Sequence, residues 1–156
     1  MSEATMELPL PDEAVRLRVP ATDWRDAVRY AGAALTAAGI TQAAYTEEMI
    51  ATVEQLGPYI VIAPGIALAH SRPSPSVNHA GISWVTLATP VEFGNADNDP
   101  VSLVVGLAAV DHDGHIDLMA ALAETLADEI RLPKALAATT PEALRAALAP
   151  TEEGQV

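Results

Sequence analysis

The sequence of 156 residues contains no cysteine. This absence excludes disulfide bonds, zinc sites built on thiolates and cysteine nucleophiles, so a nucleophile must come from another residue type. The chain has about the length of one domain, which suffices to bury a hydrophobic core without disulfide or metal cross-links. We therefore expect one folded domain over residues 13–149, with flexible ends at residues 1–12 and 150–156.

The chain is also poor in basic residues, with 8 Lys and Arg against 21 Asp and Glu. The formal net charge of −13 repels nucleic acid and anionic lipid, so we expect neither as a partner. The N-terminal residues lack the basic head and apolar run of a signal peptide, and no uninterrupted apolar stretch reaches the length of a membrane span. These features predict a cytoplasmic protein with no direct membrane insertion.

Apolar strands and amphipathic helices alternate along the chain. Residues 14–19 alternate like a strand, and a helix follows with Thr22 or Asp23 as its N-cap and Gly39 as its end. A second helix is predicted at about residues 42–56. The segments predicted as further strands are "YIVIA", "IALA", "HAGISWVTLATPV" and "PVSLVVGLAAV", of which the last is apolar enough to be central.

Two more helices are predicted near the C-terminus. One begins at Asp113 and runs through "HIDLMAALAETLAD", and the other is "TTPEALRAALA", with Thr140 as its N-cap and Pro141 at the first helical position. The alternation of strands and helices predicts an α/β protein built around a layered sheet.

His70 ends the apolar strand "GIALA" and is followed two residues later by Arg72, the only Lys or Arg between Tyr30 and Ile130. Pro73 favours an extended backbone at Arg72, which places the side chains of His70 and Arg72 on the same side and that of Ser71 on the other. A neutral imidazole is a nucleophile near physiological pH, and a guanidinium suits an oxyanion such as phosphate. The alternative is an ordinary surface pair.

His115 lies in the first turn of the predicted helix, where the helix dipole disfavours protonation of the ring and free N–H groups suit an anion. The competing hypothesis is a metal site made by Asp111, His112, Asp113 and His115, although such a cluster around a glycine is more often a solvated turn. We expect no metal and no cofactor. His79 and His112 are interpreted as surface residues.

Two long stretches carry a resemblance to a known family. "GPYIVIAPGIALAHSRP", followed by "TPVEFGNADNDPVSLVVGLAAVDHDGHIDLMAALAETLAD", resembles the phosphocarrier IIA component of the bacterial sugar phosphotransferase system, in the mannitol/fructose-type superfamily. Within it, "YIVIAPGIALAHSRP" and "FGNADNDPVS" are most similar to the ascorbate-type branch. The resemblance covers roughly residues 20–148.

The resemblance implies a three-layer α/β fold, with a mixed β-sheet and helices on both faces. It implies a phosphotransferase in which His70 accepts a phosphoryl group from the histidine-phosphorylated carrier HPr and passes it to a cysteine of a IIB component. His115 falls on the position of a second histidine that lies beside the first. A membrane IIC component would be an indirect partner, ascorbate or a related sugar acid or pentitol the transported substrate, and a homodimer is left open.

The helix before "PYIVI" lacks the arginine that mannitol-type members carry there, since "EEMIATVEQLG" has no basic residue. We expect Arg72 to take over its charge role, and His115 to contact the phosphoryl group or to hold the tautomer of His70. Two alternatives stay open: a regulatory module that uses the same phosphohistidine, and a metal-dependent hydrolase built on the Asp and His cluster.

Overall fold

The computed structural model describes residues 10–149. Of the ends expected to be flexible, residues 1–12 and 150–156, all but residues 10–12 lie outside this range. The described residues contain five strands: β1 (Val15–Val19), β2 (Val61–Ala63), β3 (Ile66–His70), β4 (Gly81–Val91) and β5 (Val101–Ala108). They form one mixed sheet in the order β1-β4-β5-β3-β2. β1 pairs with β4 and β3 with β5 in parallel, whereas β4 with β5 and β2 with β3 are antiparallel.

Five α-helices occupy the connections and the C-terminal part of the described chain: α1 (Trp24–Ala37), α2 (Ala44–Leu56), α3 (His112–Leu126), α4 (Arg131–Ala137) and α5 (Pro141–Leu148). The sequence predicts Thr22 or Asp23 as the N-cap of α1, and the structure shows Asp23, whose side chain accepts the N–H of Asp26. The predicted N-cap Thr140 is confirmed, because its side chain accepts the N–H of Ala143. α3 begins one residue earlier than predicted, with Asp111 as its cap.

One predicted strand is shorter in the structure. "YIVIA" forms a strand only over its last three residues, since Pro58–Ile60 is a 3-10 turn. Gly57 ends α2 with a φ of 92°, which a residue with a side chain rarely adopts, and Pro58 then starts the turn. β2 is therefore a short edge strand.

β5 is the centre of the sheet and is covered on both faces. Seven of its eight residues are buried, including neighbours that point to opposite sides. On one face α1 comes close, since a Cβ on Gly106 would lie 2.4 Å from Ser83 Oγ and 3.2 Å from Leu35 Cδ1. Helices therefore form layers on both faces of the mixed sheet, as the sequence led us to expect.

The polar turn between β4 and β5 ties β2 to β5. The Asp99 carboxylate accepts backbone N–H groups of Phe93, Gly94 and Asn95 at 2.8–3.1 Å. The side chain of Asn98 donates to the backbone oxygen of Val61 at 3.2 Å. This turn holds the hairpin that leads into β3.

The parallel pairing of β3 with β5 sets the position of His70 relative to the start of α3. His70 stands opposite Leu107 in this register, so both strands end at the same edge of the sheet. α3 starts four residues after the end of β5 and brings its first turn to that edge.

Among residues 10–149, no helix has both the length and the apolar character that crossing a membrane requires.

Candidate functional site

His70 is the last residue of β3, and its ring is held by its own strand. Its Nδ1 lies 2.9 Å from the backbone oxygen of Leu68. Because a carbonyl oxygen only accepts hydrogen bonds, Nδ1 carries the proton in this contact, and the lone pair of the neutral ring is on Nε2. The side chain is partly exposed, so a reacting group can reach it.

His115 lies beside His70, as expected. The two ring centroids are 5.5 Å apart and the ring planes are tilted by 56°. Burial lowers the pKa of His115 below its ordinary value of 6.5, and the neighbouring His70 and His112 lower it further. The direction is the one expected from the sequence. His115 is neutral at pH 7.

The Nδ1 atom of His115 is buried and has no hydrogen-bond partner in the described part of the chain. A buried N–H without an acceptor is rarer and costlier than a buried acceptor without a donor. The single proton of the neutral ring is therefore best placed on Nε2, which makes His115 a neutral hydrogen-bond donor.

A pocket of about 580 Å³ surrounds the two histidines and also includes Arg72. The structure thus brings together all three residues singled out from the sequence. Ser71, expected on the opposite side, lines the pocket too, and its hydroxyl lies 3.1 Å from Thr52 Oγ1. Apolar side chains form part of the wall: Ala51, Leu56, Tyr59, Ile60 and Pro73. Leu56 and Tyr59 are more than half exposed.

Arg72 is exposed and forms no ion pair with the residues that the structure describes. The ion pairs found within residues 10–149 are Arg25–Glu54, Arg131–Asp128 and Arg145–Asp12. The guanidinium of Arg72 is therefore available to an anion in the pocket, and it has the planar shape that suits a phosphoryl group.

Two residues of α2 support the site and were not recognised from the sequence as site residues. The hydroxyl of Tyr45 accepts the N–H of Ser71 at 3.0 Å and donates to the Leu107 oxygen at 3.0 Å. Burial raises the pKa of Tyr45 to about 12, helped by the nearby Glu48 carboxylate. Glu48 accepts the hydroxyls of Ser74 and Ser76.

The histidines interpreted as surface residues are both exposed, but they differ in place. His79 lies outside the pocket, with Nδ1 3.1 Å from the Ala80 oxygen. His112, by contrast, lines the pocket.

The candidate metal cluster finds no support, since nowhere in residues 10–149 do three His, Asp or Glu side chains converge as metal ligands. Asp111 instead caps α3 by accepting the Gly114 N–H at 2.7 Å.

Comparison with known proteins identifies the family. The family model "Phosphoenolpyruvate-dependent sugar phosphotransferase system, EIIA 2" matches residues 9–150. The ascorbate-specific PTS system EIIA component of Escherichia coli (strain K12) is 42% identical over 104 residues, which are 67% of this chain and 68% of that protein.

Solved structures agree with this fold. The mannitol-specific cryptic phosphotransferase enzyme IIA CmtB from Escherichia coli superimposes with a TM-score of 0.80 at 30% identity, over 92% of this chain and 98% of that one. The complex of enzyme IIA and phosphorylated enzyme IIB for mannitol from Escherichia coli gives a TM-score of 0.77 at 24% identity, over 90% and 97%. The chain therefore belongs to the type 2 EIIA family of the phosphoenolpyruvate-dependent sugar phosphotransferase system, whose members are phosphotransferases with a phosphohistidine intermediate.

Proposed function

We propose that His70 accepts a phosphoryl group from phosphorylated HPr through Nε2 and passes it to a cysteine of a IIB component. The contact between His70 Nδ1 and the Leu68 oxygen carries this proposal, because it leaves the Nε2 lone pair free at an exposed edge. Nε2 forms a bond to phosphorus while the phosphorus–nitrogen bond of the donor breaks, and the donor ring keeps that electron pair. The Leu68 oxygen then stabilises the positive charge that the phosphorylated ring acquires.

His115 and Arg72 serve the transferred group in this proposal. The Nε2–H of His115 donates to a phosphoryl oxygen, and the ring stays neutral because burial lowers its pKa. Arg72 offsets the charge on the oxygens, as the only Lys or Arg between Tyr30 and Ile130. The reaction needs positioning and charge stabilisation, since the donor is already an activated phosphohistidine.

The proposed transport system is an ascorbate-type one. Curated relatives at 42% identity carry the name of ascorbate-specific EIIA components. The proposed IIB partner follows from family membership and from the Escherichia coli mannitol complex, in which a IIA enzyme of the same fold is bound to phosphorylated IIB. The partner's cysteine loop would enter the pocket over His70.

The test is phosphoryl transfer from phosphorylated HPr to the purified protein, followed by transfer to IIB. We expect one phosphoryl group on His70 Nε2, identified by ³¹P and ¹⁵N NMR, and none on His70→Ala. The matched control is His79→Ala, which removes an exposed histidine outside the pocket and should behave as wild type. Phosphate retained by His70→Ala, or found on Nδ1, contradicts the proposal.

The roles of the neighbouring residues and the substrate are tested in the same assay. Arg72→Ala should slow acceptance by about 10- to 1000-fold, and Arg72→Lys should recover only part of the rate because it lacks the bidentate fork. His115→Ala should still accept phosphate but transfer it more slowly. Faster transfer to an ascorbate-type IIB than to a mannitol-type IIB supports the substrate, and the reverse order refutes it.

A further inference from the structure

The loop that follows His70 is fastened to α2 by one carboxylate. Ser74 Oγ donates to Glu48 Oε1 at 2.7 Å, and Ser76 Oγ donates to Glu48 Oε2 at 2.6 Å. Ser74 Oγ also accepts the backbone N–H of Ser76 at 3.1 Å. Each carboxylate oxygen thus has its own hydroxyl, at the short distances typical of hydrogen bonds to a charged acceptor.

The same carboxylate lies in the pocket with Arg72. Both Glu48 and Arg72 line it, yet they form no ion pair within the described residues. Glu48 is half-buried, where the attraction between opposite charges is less screened than at the surface. Arg72 is the only Lys or Arg among the residues that line this pocket, so it is the cation that a Glu48 carboxylate without its two serine partners would face there.

An Arg72 engaged by Glu48 could not offset the charge of a phosphoryl group. The carboxylate would occupy the same guanidinium N–H groups that a phosphoryl oxygen uses. No other Lys or Arg lies between Tyr30 and Ile130 to replace it.

We propose that Ser74 and Ser76 hold the Glu48 carboxylate away from Arg72, and so keep the guanidinium available to the phosphoryl group on His70. Ser74, Ser76 and Glu48 are positioning residues, since they act through Arg72 and touch no reacting atom. This inference rests on the role of Arg72 in the proposed function. It adds one specific claim: loss of the two serines slows phosphoryl acceptance because of the negative charge of Glu48.

The experiment compares rates of phosphoryl acceptance from phosphorylated HPr in three variants. Ser74→Ala/Ser76→Ala should be at least about 10-fold slower than wild type, within the range for losing one charge-stabilising donor. Adding Glu48→Gln to that variant should restore most of the rate, because a neutral amide does not pair with Arg72. Glu48→Gln alone is the reference for this recovery, since an amide can accept from one serine and donate to the other and leaves no carboxylate to compete for Arg72.

A matched control separates charge competition from loop support. Glu47→Gln removes the neighbouring exposed carboxylate of the same helix, and adding it to Ser74→Ala/Ser76→Ala should restore nothing. If the serines only stiffen the loop, the variant with Glu48→Gln should be as slow as the double serine variant. That result, or a double serine variant as fast as wild type, overturns the inference.

Two further measurements keep failure of the inference apart from failure of the proposed function. An Arg72→Ala variant as fast as wild type refutes the role of Arg72 itself, whatever the serines do. Circular dichroism and thermal unfolding establish that each variant is folded. If the double serine variant does not fold, Ser74→Ala and Ser76→Ala are each tested singly, with and without Glu48→Gln, and the same recovery is required.

Discussion

The hydroxyl of Tyr45 joins the ends of β3 and β5, and Tyr45→Phe removes that single oxygen. The side chain is fully buried, so water cannot replace the lost partner. Phenylalanine keeps the ring packing but leaves the Ser71 N–H without an acceptor, and the Leu107 oxygen loses a donor. One orphaned buried donor costs about 1–3 kcal/mol, and a lost hydrogen bond about 0.5–1.5 kcal/mol. We expect the free energy of unfolding to fall by about 2–4 kcal/mol.

Urea unfolding followed by circular dichroism measures this loss. With a slope of about 2 kcal/mol per molar urea, the midpoint should fall by about 1–2 M. The control is Tyr59→Phe, which removes a hydroxyl from a ring that is 58% exposed and should change stability by less than about 0.5 kcal/mol. A Tyr45→Phe variant as stable as that control would refute the inference that this hydroxyl holds the two strand ends together.

Two further predictions concern His115 and Asp99. The pKa of His115 is lowered in the folded protein from its ordinary 6.5. As the pH falls, the unfolded chain therefore binds a proton at this residue at a higher pH than the folded protein does. The wild type should therefore lose stability relative to His115→Gln as the pH falls from 6.5 through the lower folded pKa, and equal pH profiles in urea unfolding would contradict this. Asp99→Ala leaves three backbone N–H groups without their acceptor and should cost about 2 kcal/mol or more, whereas Asp97→Ala, at an exposed carboxylate of the same turn, should cost little.

The parts of the fold that the sequence predicts are those with local signals. α1 and α5 have a capping side chain at one end and apolar spacing along one face, so the start of α5 was predicted to the residue and that of α1 to within one residue. α4 was not predicted. It has only seven residues, contains Pro133 in "RLPKALA" and starts without a capping side chain, so neither periodicity nor a cap marks it.

The residues of the site also differ in whether a local signal in the sequence predicts them. Arg72 and His70 are two residues apart, so an extended backbone sufficed to predict that their side chains lie on the same side, and both line the pocket. The support from α2 could not be predicted, because the partners of Tyr45 are 26 and 62 residues away in the chain. The closeness of His115 to His70 came from the family resemblance, and its structural cause is the parallel register of β3 with β5.

The charged and polar groups of the pocket suit a phosphoryl group that is bound and then transferred onward. A phosphoryl group on His70 would meet one free guanidinium, one neutral imidazole donor and the nearby Glu48 carboxylate. Several cations would bind a dianion more tightly, but they would stabilise the phosphorylated state as much as the transition state and so slow the onward transfer. In the proposed mechanism, one cation whose availability depends on two serine hydroxyls would stabilise the transferring group without trapping it. A carrier needs this balance because it must accept and release the same group, and the scarcity of basic residues in the sequence is consistent with it.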